Sequence, residues 1–409
     1  MTRGRRLLIV AGLVAALVSV LAAANVIVDG DERARTAMSP GTTDPVGAGS
    51  PIPDRPIPDR PAASVTIDPD RPRRSFTLAA TGDFLIHTPV QRRAAANAGG
   101  SGYSFSPMFA EVAPIIATAD LALCHMETPV SPDNTSLSGY PLFNVPREIV
   151  VDAAAAGYDG CSTASNHSLD KGATGLAATL EVLDQAGLQH AGTARSALEA
   201  VTPTIYDVEG VKVGHLSFTY GTNGIPQPAD RPWSVNVIDA PKILADAAAA
   251  TQGGAEFVIV SLQWGNEYQS DPTPDQQTLA RQLLASADVD LIVGSHVHVV
   301  QPIERVGTKY VAYGVGNFLS NQGAPSTPTA SQDGLILQVG VQEQPDGSFA
   351  ATQVAFTPTW VDRSTYLVTM ATPQTNPASY DRTATAVGRL GPLAFDGQPT
   401  FAPLTLGSP

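Results

Sequence analysis

The chain predicts an α/β fold, a sandwich of helices packed around mixed sheets. Residues 257–262 and 291–294 are continuous apolar or β-branched runs, the composition of strands covered on both faces. Amphipathic stretches with helix-start and helix-stop chemistry lie between such runs. The later strands, at 309–313, 335–341 and 350–356, are antiparallel in character.

The first segment, 1–28, is not part of that fold. Arg3, Arg5 and Arg6 precede an uncharged run from 7 to 28. Such a run is long enough to span a bilayer, and its basic start orients the N-terminus to the cytoplasm. A signal peptide cleaved near Leu21-Ala22-Ala23-Ala24 and an uncleaved membrane anchor both fit. Export follows either way: a single-pass membrane protein with an extracytoplasmic domain, or a secreted one. Residues 29–75 hold nine prolines and a repeated Pro-Ile-Pro-Asp-Arg at 51–55 and 56–60. Proline at that density favours extended backbone, so this segment reads as a semi-rigid linker.

Order is expected from 76 to 370. Residues 76–80 form a strand that runs into Thr81-Gly82-Asp83, and 120–123 form a second. One helix carries Leu176, Leu180 and Leu183 on a face and stops at Gly187. Another starts at Thr273-Pro274-Asp275-Gln276, which offers an N-cap, a first-turn proline and a capping-box Gln. Its apolar face holds Leu279 and Leu283. Residues 371–409 are a Pro- and Thr-rich tail with weak periodicity.

Charge excludes one class of partner. The 409-residue chain has 24 bases and 38 acids, a net −14. Without the leader's three arginines the balance is 21 against 38, or −17. Nucleic acid is not an expected partner, because phosphate contacts need basic surface. A phosphorylated or carboxylated substrate stays open, since bound metal neutralises a local site.

The chemistry concentrates where strands end. Asp83 follows the first strand, with His87 four residues on; Glu127 follows the second. Asn166-His167 follows a short run at 159–162, Gln263 closes the third buried strand, and His296 and His298 follow the fourth. Carboxyl ends of parallel strands line one crevice. Acids, an Asn-His pair and a His-x-His pair arriving there can hold one or two divalent ions. Mn, Fe, Zn and Mg all remain open. A carboxylate bridging two ions suits phosphoryl or related hydrolysis. His125 lies close to Glu127 but is expected in the turn or pointing elsewhere, and His190 and His215 are expected to be structural. Cys124 and Cys161 precede Glu127 and Asn166. An even pair in an exported chain is expected as a disulfide, the alternative being two buried small apolar residues.

At these residues the sequence resembles a known family. Thr81-Gly82-Asp83, the Glu127 segment, and Ser165-Asn166-His167-Ser168-Leu169-Asp170-Lys171-Gly172 are joined, in order, by three later motifs. These are Ser261 to Tyr268, Gly294 to Pro302, and Tyr313 to Phe318. Together they are similar to the poly-γ-glutamate capsule-synthesis (CapA-type) proteins of the calcineurin-like metallophosphoesterase superfamily. The resemblance covers about 76–360. It implies a four-layer α/β/β/α sandwich and a two-metal site. It casts Asp83 and His298, with His87, as ligands of one ion, Glu127 as the bridge, and Asn166 and His296 as ligands of the second. Gln263 stands where many relatives carry His, and an amide oxygen is a weaker ligand, so a single-ion site is the alternative. His167 is cast as the group that protonates a leaving oxygen or stabilises its charge.

A substrate groove could be framed by Trp264, Glu267, Tyr268, Phe143, Asn144, Arg147, Asn317, Asn321 and Gln322. Arg147 is the expected anion contact, because guanidinium pairs bidentately with carboxylate or phosphate. The resulting expectation is a metal-dependent hydrolase or transferase of capsule or cell-envelope polymer synthesis. Its partners would be an anionic polymer or phosphorylated precursor, other synthesis and export subunits, and the membrane through the N-terminus. The alternatives are a non-catalytic polymer-binding or assembly component and an extracellular nucleotidase.

Overall fold

Strand and helix alternate along the chain as expected, and the strands gather into two sheets. The computed structural model describes residues 71–391 and 399–406. The expected leader at 1–28 and nearly all of the 29–75 linker lie outside those residues. No helix among the described residues is long and apolar enough to cross a membrane.

The strands are β1 (Ser75–Leu85), β2 (Leu121–His125), β3 (Gly160–Ser162), β4 (Gln189–Ala191), β5 (Thr204–Val208), β6 (Val211–Thr219) and β7 (Phe257–Gln263). They continue with β8 (Leu291–Ser295), β9 (Ile303–Val306), β10 (Lys309–Ala312), β11 (Asn317–Ser320), β12 (Asp333–Glu343), β13 (Phe349–Asp362) and β14 (Leu367–Met370). The longer helices are α1 (Thr88–Asn97), α2 (Glu148–Ala155), α3 (Gly172–Gln185), α4 (Ala240–Gln252), α5 (Pro274–Leu284) and α6 (Pro377–Val387).

The first sheet runs β14-β13-β12-β1-β2-β3-β4, with β11 also paired to β1; the second runs β5-β6-β7-β8-β10-β9. Within them β1 to β4 are mutually parallel, as are β6, β7, β8 and β10. β12 and β13 are antiparallel, as their pattern predicts. β10 departs from expectation, being antiparallel to β9 but parallel to β8.

Side-chain alternation explains why the sheets face each other. On β1, Phe76, Leu78 and Ala80 join Val213, Phe257 and Leu291 of the second sheet in a core between the two. The residues between them point outward: Ala79 and Ala122 pack with Ile149 and Leu180 of the helices on one side. Val258, Val260 and Ile292 do the same with Ile243 and Leu283 on the other. Burying a leucine as completely as Leu180 and Leu183 contributes roughly 1.5–3 kcal/mol each.

The helix signals operate as chemistry requires. Thr273 accepts from the Gln276 backbone, and the Gln276 side chain accepts from the Thr273 backbone, so both halves of the capping box form. Gly187 takes φ +79° after α3, and the Leu188 N–H reaches back to the Leu183 carbonyl. The weak periodicity after 370 concealed α6, which Asn376 caps and which the Arg382–Asp333 ion pair ties to β12.

Cys124 and Cys161 are register partners on β2 and β3, with Cα atoms 4.4 Å apart, and they form a disulfide. The site depends more on Gly82. A Cβ there would lie 1.8 Å from the Gly316 carbonyl oxygen, so only glycine lets β1 approach that loop. The Asp83 N–H donates to the same oxygen.

Candidate metal centre

The crevice forms where β1, β2 and β8 end. Asp83 sits at an irregularity in β1, beside His125 of β2 on one flank and Asn317 of β11 on the other. Its Oδ2 lies 2.9 Å from His298 Nδ1, and Asn317 Oδ1 lies 3.1 Å from the same nitrogen. His298 Nε2 stands 3.9 Å from Glu127 Oε1. Glu127, His296 and His298 each offer a ligand atom within 4.8 Å of the others, and all three are buried. His296 and His298 both take positive φ, 87° and 56°, a conformation uncommon outside glycine. That turn aims both rings into one space, with centroids 5.9 Å apart.

Burial and charge are out of balance here. Both Glu127 oxygens and Asp83 Oδ1 are buried with no hydrogen-bond partner. Burial pushes the Glu127 carboxyl well above its ordinary range. Burial also opposes a charge on His298, but Glu127 and Asp83 outweigh it and push that imidazole up to about 10. Two carboxylates around one imidazole call for a cation. Burial holds His296 well below its usual value and His87 down to about 3, so both are neutral imidazoles. His87 occupies the N-cap position of α1 without a side-chain cap bond, and its Nδ1 lies 3.0 Å from the Leu85 carbonyl oxygen and 3.3 Å from the Asn321 nitrogen.

The Asn166-His167 turn is locked by hydroxyls. Ser165 Oγ donates to the Glu127 carbonyl and accepts from the His167 N–H. His167 Nδ1 lies 2.7 Å from Asp170 Oδ2, and the Phe143 N–H donates to that oxygen at 2.7 Å. The Phe143 ring meets His87 and His167 edge-on, at 5.3 and 4.8 Å. The roles weighed from sequence omitted Asp170; its signal was a carboxylate three residues after the histidine of a turn. They also omitted Tyr220, whose ring lies 4.4 Å from that of His296.

Gln263 has a different job from the metal ligand expected of it. Its Oε1 accepts from the Asn166 N–H at 2.9 Å and from Thr219 Oγ1 at 2.5 Å. Its Nε2 donates to Asn166 Oδ1 at 2.6 Å. Asn166 Nδ2 donates in turn to Asn223 Oδ1. Gln263 Oε1 thus faces two donors and Asn166 Oδ1 one close donor.

The expected groove divides. Tyr268 lies 6.1 Å from the His298 ring, and its hydroxyl accepts from Gln322, which also accepts from Asn317. Glu267 is exposed, and its charge acts on His298 and Glu127. Asn321 accepts from Tyr366. Trp264 belongs to the core: it is buried, its Nε1 donates to the Tyr313 carbonyl, and its ring stacks on Tyr313. Arg147 is not an anion contact, because its guanidinium binds the Pro132 carbonyl and Gln185 at the far end of α3. Asn144 ties down the carbonyls of Thr135 and Ser136. His125 closes β2 rather than lying in the turn, and its Nδ1 pairs with Ser162 Oγ. His190 pairs with Asp184, and His215 with Ser261.

Residues 77–322, a span that holds every residue of the crevice, match the family described as bacterial capsule synthesis protein PGA_cap. The chain belongs to this family. It is 27% identical over 282 residues to the capsule biosynthesis protein CapA of Bacillus anthracis, covering 67% of this chain and 66% of that one. It is 28% identical over 252 residues to the PGA biosynthesis protein CapA of Bacillus subtilis, covering 60% and 64%. The chain thus spans just under two thirds of the length of these relatives. Among solved structures it is similar to the calcineurin-like phosphoesterase YfkN of Bacillus subtilis, with TM-score 0.43 and 15% identity, covering 77% of this chain and 97% of that one.

The residues of this crevice fit one divalent ion. Glu127, His296 and His298 supply a carboxylate and two imidazoles within reach of one another, and both Glu127 oxygens and His296 Nδ1 are unpaired. Asp83 holds the His298 ring from behind, as carboxylates behind metal-bound histidines do.

Proposed function

We propose that this chain is an exported, metal-dependent hydrolase or transferase of capsule or cell-envelope polymer synthesis, of the poly-γ-glutamate type. The observation that carries the reading is Glu127: a carboxylate with both oxygens buried, neither hydrogen-bonded, grouped with two imidazoles. A buried charge without a partner is costly, and a divalent ion removes that cost. Held there, the ion would act as a Lewis acid on a phosphoryl or carbonyl oxygen and supply a nucleophile at neutral pH.

The chain's own residues do the rest. Asp170 holds the His167 ring through Nδ1, so that Nε2, once it carries a proton as well, would pass that proton to a departing oxygen. Asp83 and Asn317 set the His298 ring. Tyr268, beside the His298 ring, and the exposed Glu267 would meet the substrate. An anionic polymer or phosphorylated precursor is the substrate class, with metal offsetting repulsion from an acidic domain. Partner subunits of polymer synthesis and attachment to the membrane through 1–28 belong to the same proposal.

Metal analysis of purified protein, with assays on phosphodiester and γ-glutamyl substrates, tests it. Turnover that needs metal and is lost in Glu127→Gln and His298→Ala is expected. Absence of bound metal, or turnover untouched by both substitutions, would sink it. The Asn166–Gln263 amide pair favours a second reading, a polymer-binding component without chemistry. Polymer binding that survives EDTA, with no turnover of either substrate class, would select that reading.

A further inference from the structure

We infer that the crevice takes one divalent ion rather than two, and that Gln263 sets that number. The inference rests on the reading that the crevice binds metal, and it concerns the side of the site that the superfamily reserves for a second ion.

An asparagine or glutamine can ligate a metal only through its amide oxygen, since the amide nitrogen is a donor without a free lone pair. Asn166 Oδ1 receives Gln263 Nε2 at 2.6 Å. Gln263 Oε1 receives the Asn166 N–H at 2.9 Å and Thr219 Oγ1 at 2.5 Å. Turning the Gln263 amide over offers no escape, because its nitrogen would then face the Asn166 backbone N–H, donor against donor. The backbone therefore fixes which end of Gln263 meets Asn166.

Burial makes this interlock hard to open. Thr219, Gln263 and Asn166 are 0%, 1% and 4% exposed. Pulling either oxygen away would leave buried donors unpaired, which is costly. The contrast with the other half of the crevice is sharp. The orphaned atoms there are Asp83 Oδ1, both Glu127 oxygens, His296 Nδ1 and His125 Nε2, while neither amide of the Asn166–Gln263 pair leaves an atom orphaned. Asp170 Oδ1, behind His167, is orphaned as well, but the Asn166–Gln263 pair itself carries no unmet demand for a cation. His296, which the family pattern assigns to the second ion, lies within ligand reach of Glu127 and His298.

Histidine at 263 would remove both obstacles. It offers a ring nitrogen with a lone pair, and it lacks the amide that occupies Asn166 Oδ1. Gln263→Glu keeps the size and turns the amide donor into a carboxylate oxygen, which would likewise release Asn166 Oδ1.

The test is a count. Full-length protein, stripped with chelator and re-equilibrated with Mn²⁺, is analysed by elemental analysis and titration calorimetry, with electron paramagnetic resonance on the loaded sample. One Mn²⁺ per chain and the spectrum of an isolated ion are expected for the natural protein. Gln263→His should rise to two ions with an exchange-coupled spectrum; Gln263→Glu serves as the second variant if that one misfolds. Two coupled ions in the natural protein would overturn the inference and leave the metal-dependent function standing. No ion at all would overturn both. A count of one that persists in both folded variants would show that Gln263 does not set the number.

Discussion

His167 and Asp170 form a buried pair in which Nδ1 lies 2.7 Å from a carboxylate oxygen that also accepts the Phe143 N–H. The loop carrying Phe143 and the turn carrying His167 are thus held by one oxygen atom. Asp170→Asn should leave the fold intact but release the tautomer. If His167 is the proton donor, kcat on the substrate turned over should drop roughly 100- to 10,000-fold, with KM little changed. A kcat within a few-fold of the natural protein would remove His167 from that role.

Asp83 would act on a bound metal through His298, whose Nδ1 lies 2.9 Å from its Oδ2. Replacing it with Asn keeps the volume and removes the charge that orients the ring. Metal affinity should weaken by about 10- to 100-fold, read by calorimetry. An unchanged Kd would mean that Asn317 alone positions the ring.

The Cys124–Cys161 disulfide joins adjacent strands, each running into a loop of the crevice. Reducing it, or making Cys161→Ser, should lower stability by roughly 2–4 kcal/mol in denaturant unfolding. Equal midpoints with and without reductant would show that the bridge does not contribute.

Glu343 gives the fold an acid limit. Burial raises its pKa, but Arg71 and Arg74 outweigh that and hold it at about 2, below its ordinary 4.5. A carboxylate with a depressed folded pKa stabilises fully above its unfolded value, and that stability is lost as pH falls from about 4.5 through about 2. Glu343→Gln should therefore be less stable at neutral pH, with the gap closing across that window. A gap in urea midpoints that stays constant with pH would contradict this.

Several features were legible in the sequence because they depend on neighbours close in the chain. The capping box at Thr273, the stop at Gly187 and the two-residue spacing of His296 and His298 are of this kind. Buried β-branched runs marked strands whose ends had to converge, which placed Asp83, Glu127 and the two histidines in one crevice.

Tertiary structure decided what each polar or aromatic group does once it arrives. Trp264 and Arg147 could face the cleft by sequence alone, yet one stacks on Tyr313 and the other binds Pro132 and Gln185. Gln263 could have been a ligand until Asn166, 97 residues away, met both ends of its amide. A side chain takes the partner that spares a buried donor or acceptor from standing alone, and that partner is known only when distant strands are side by side.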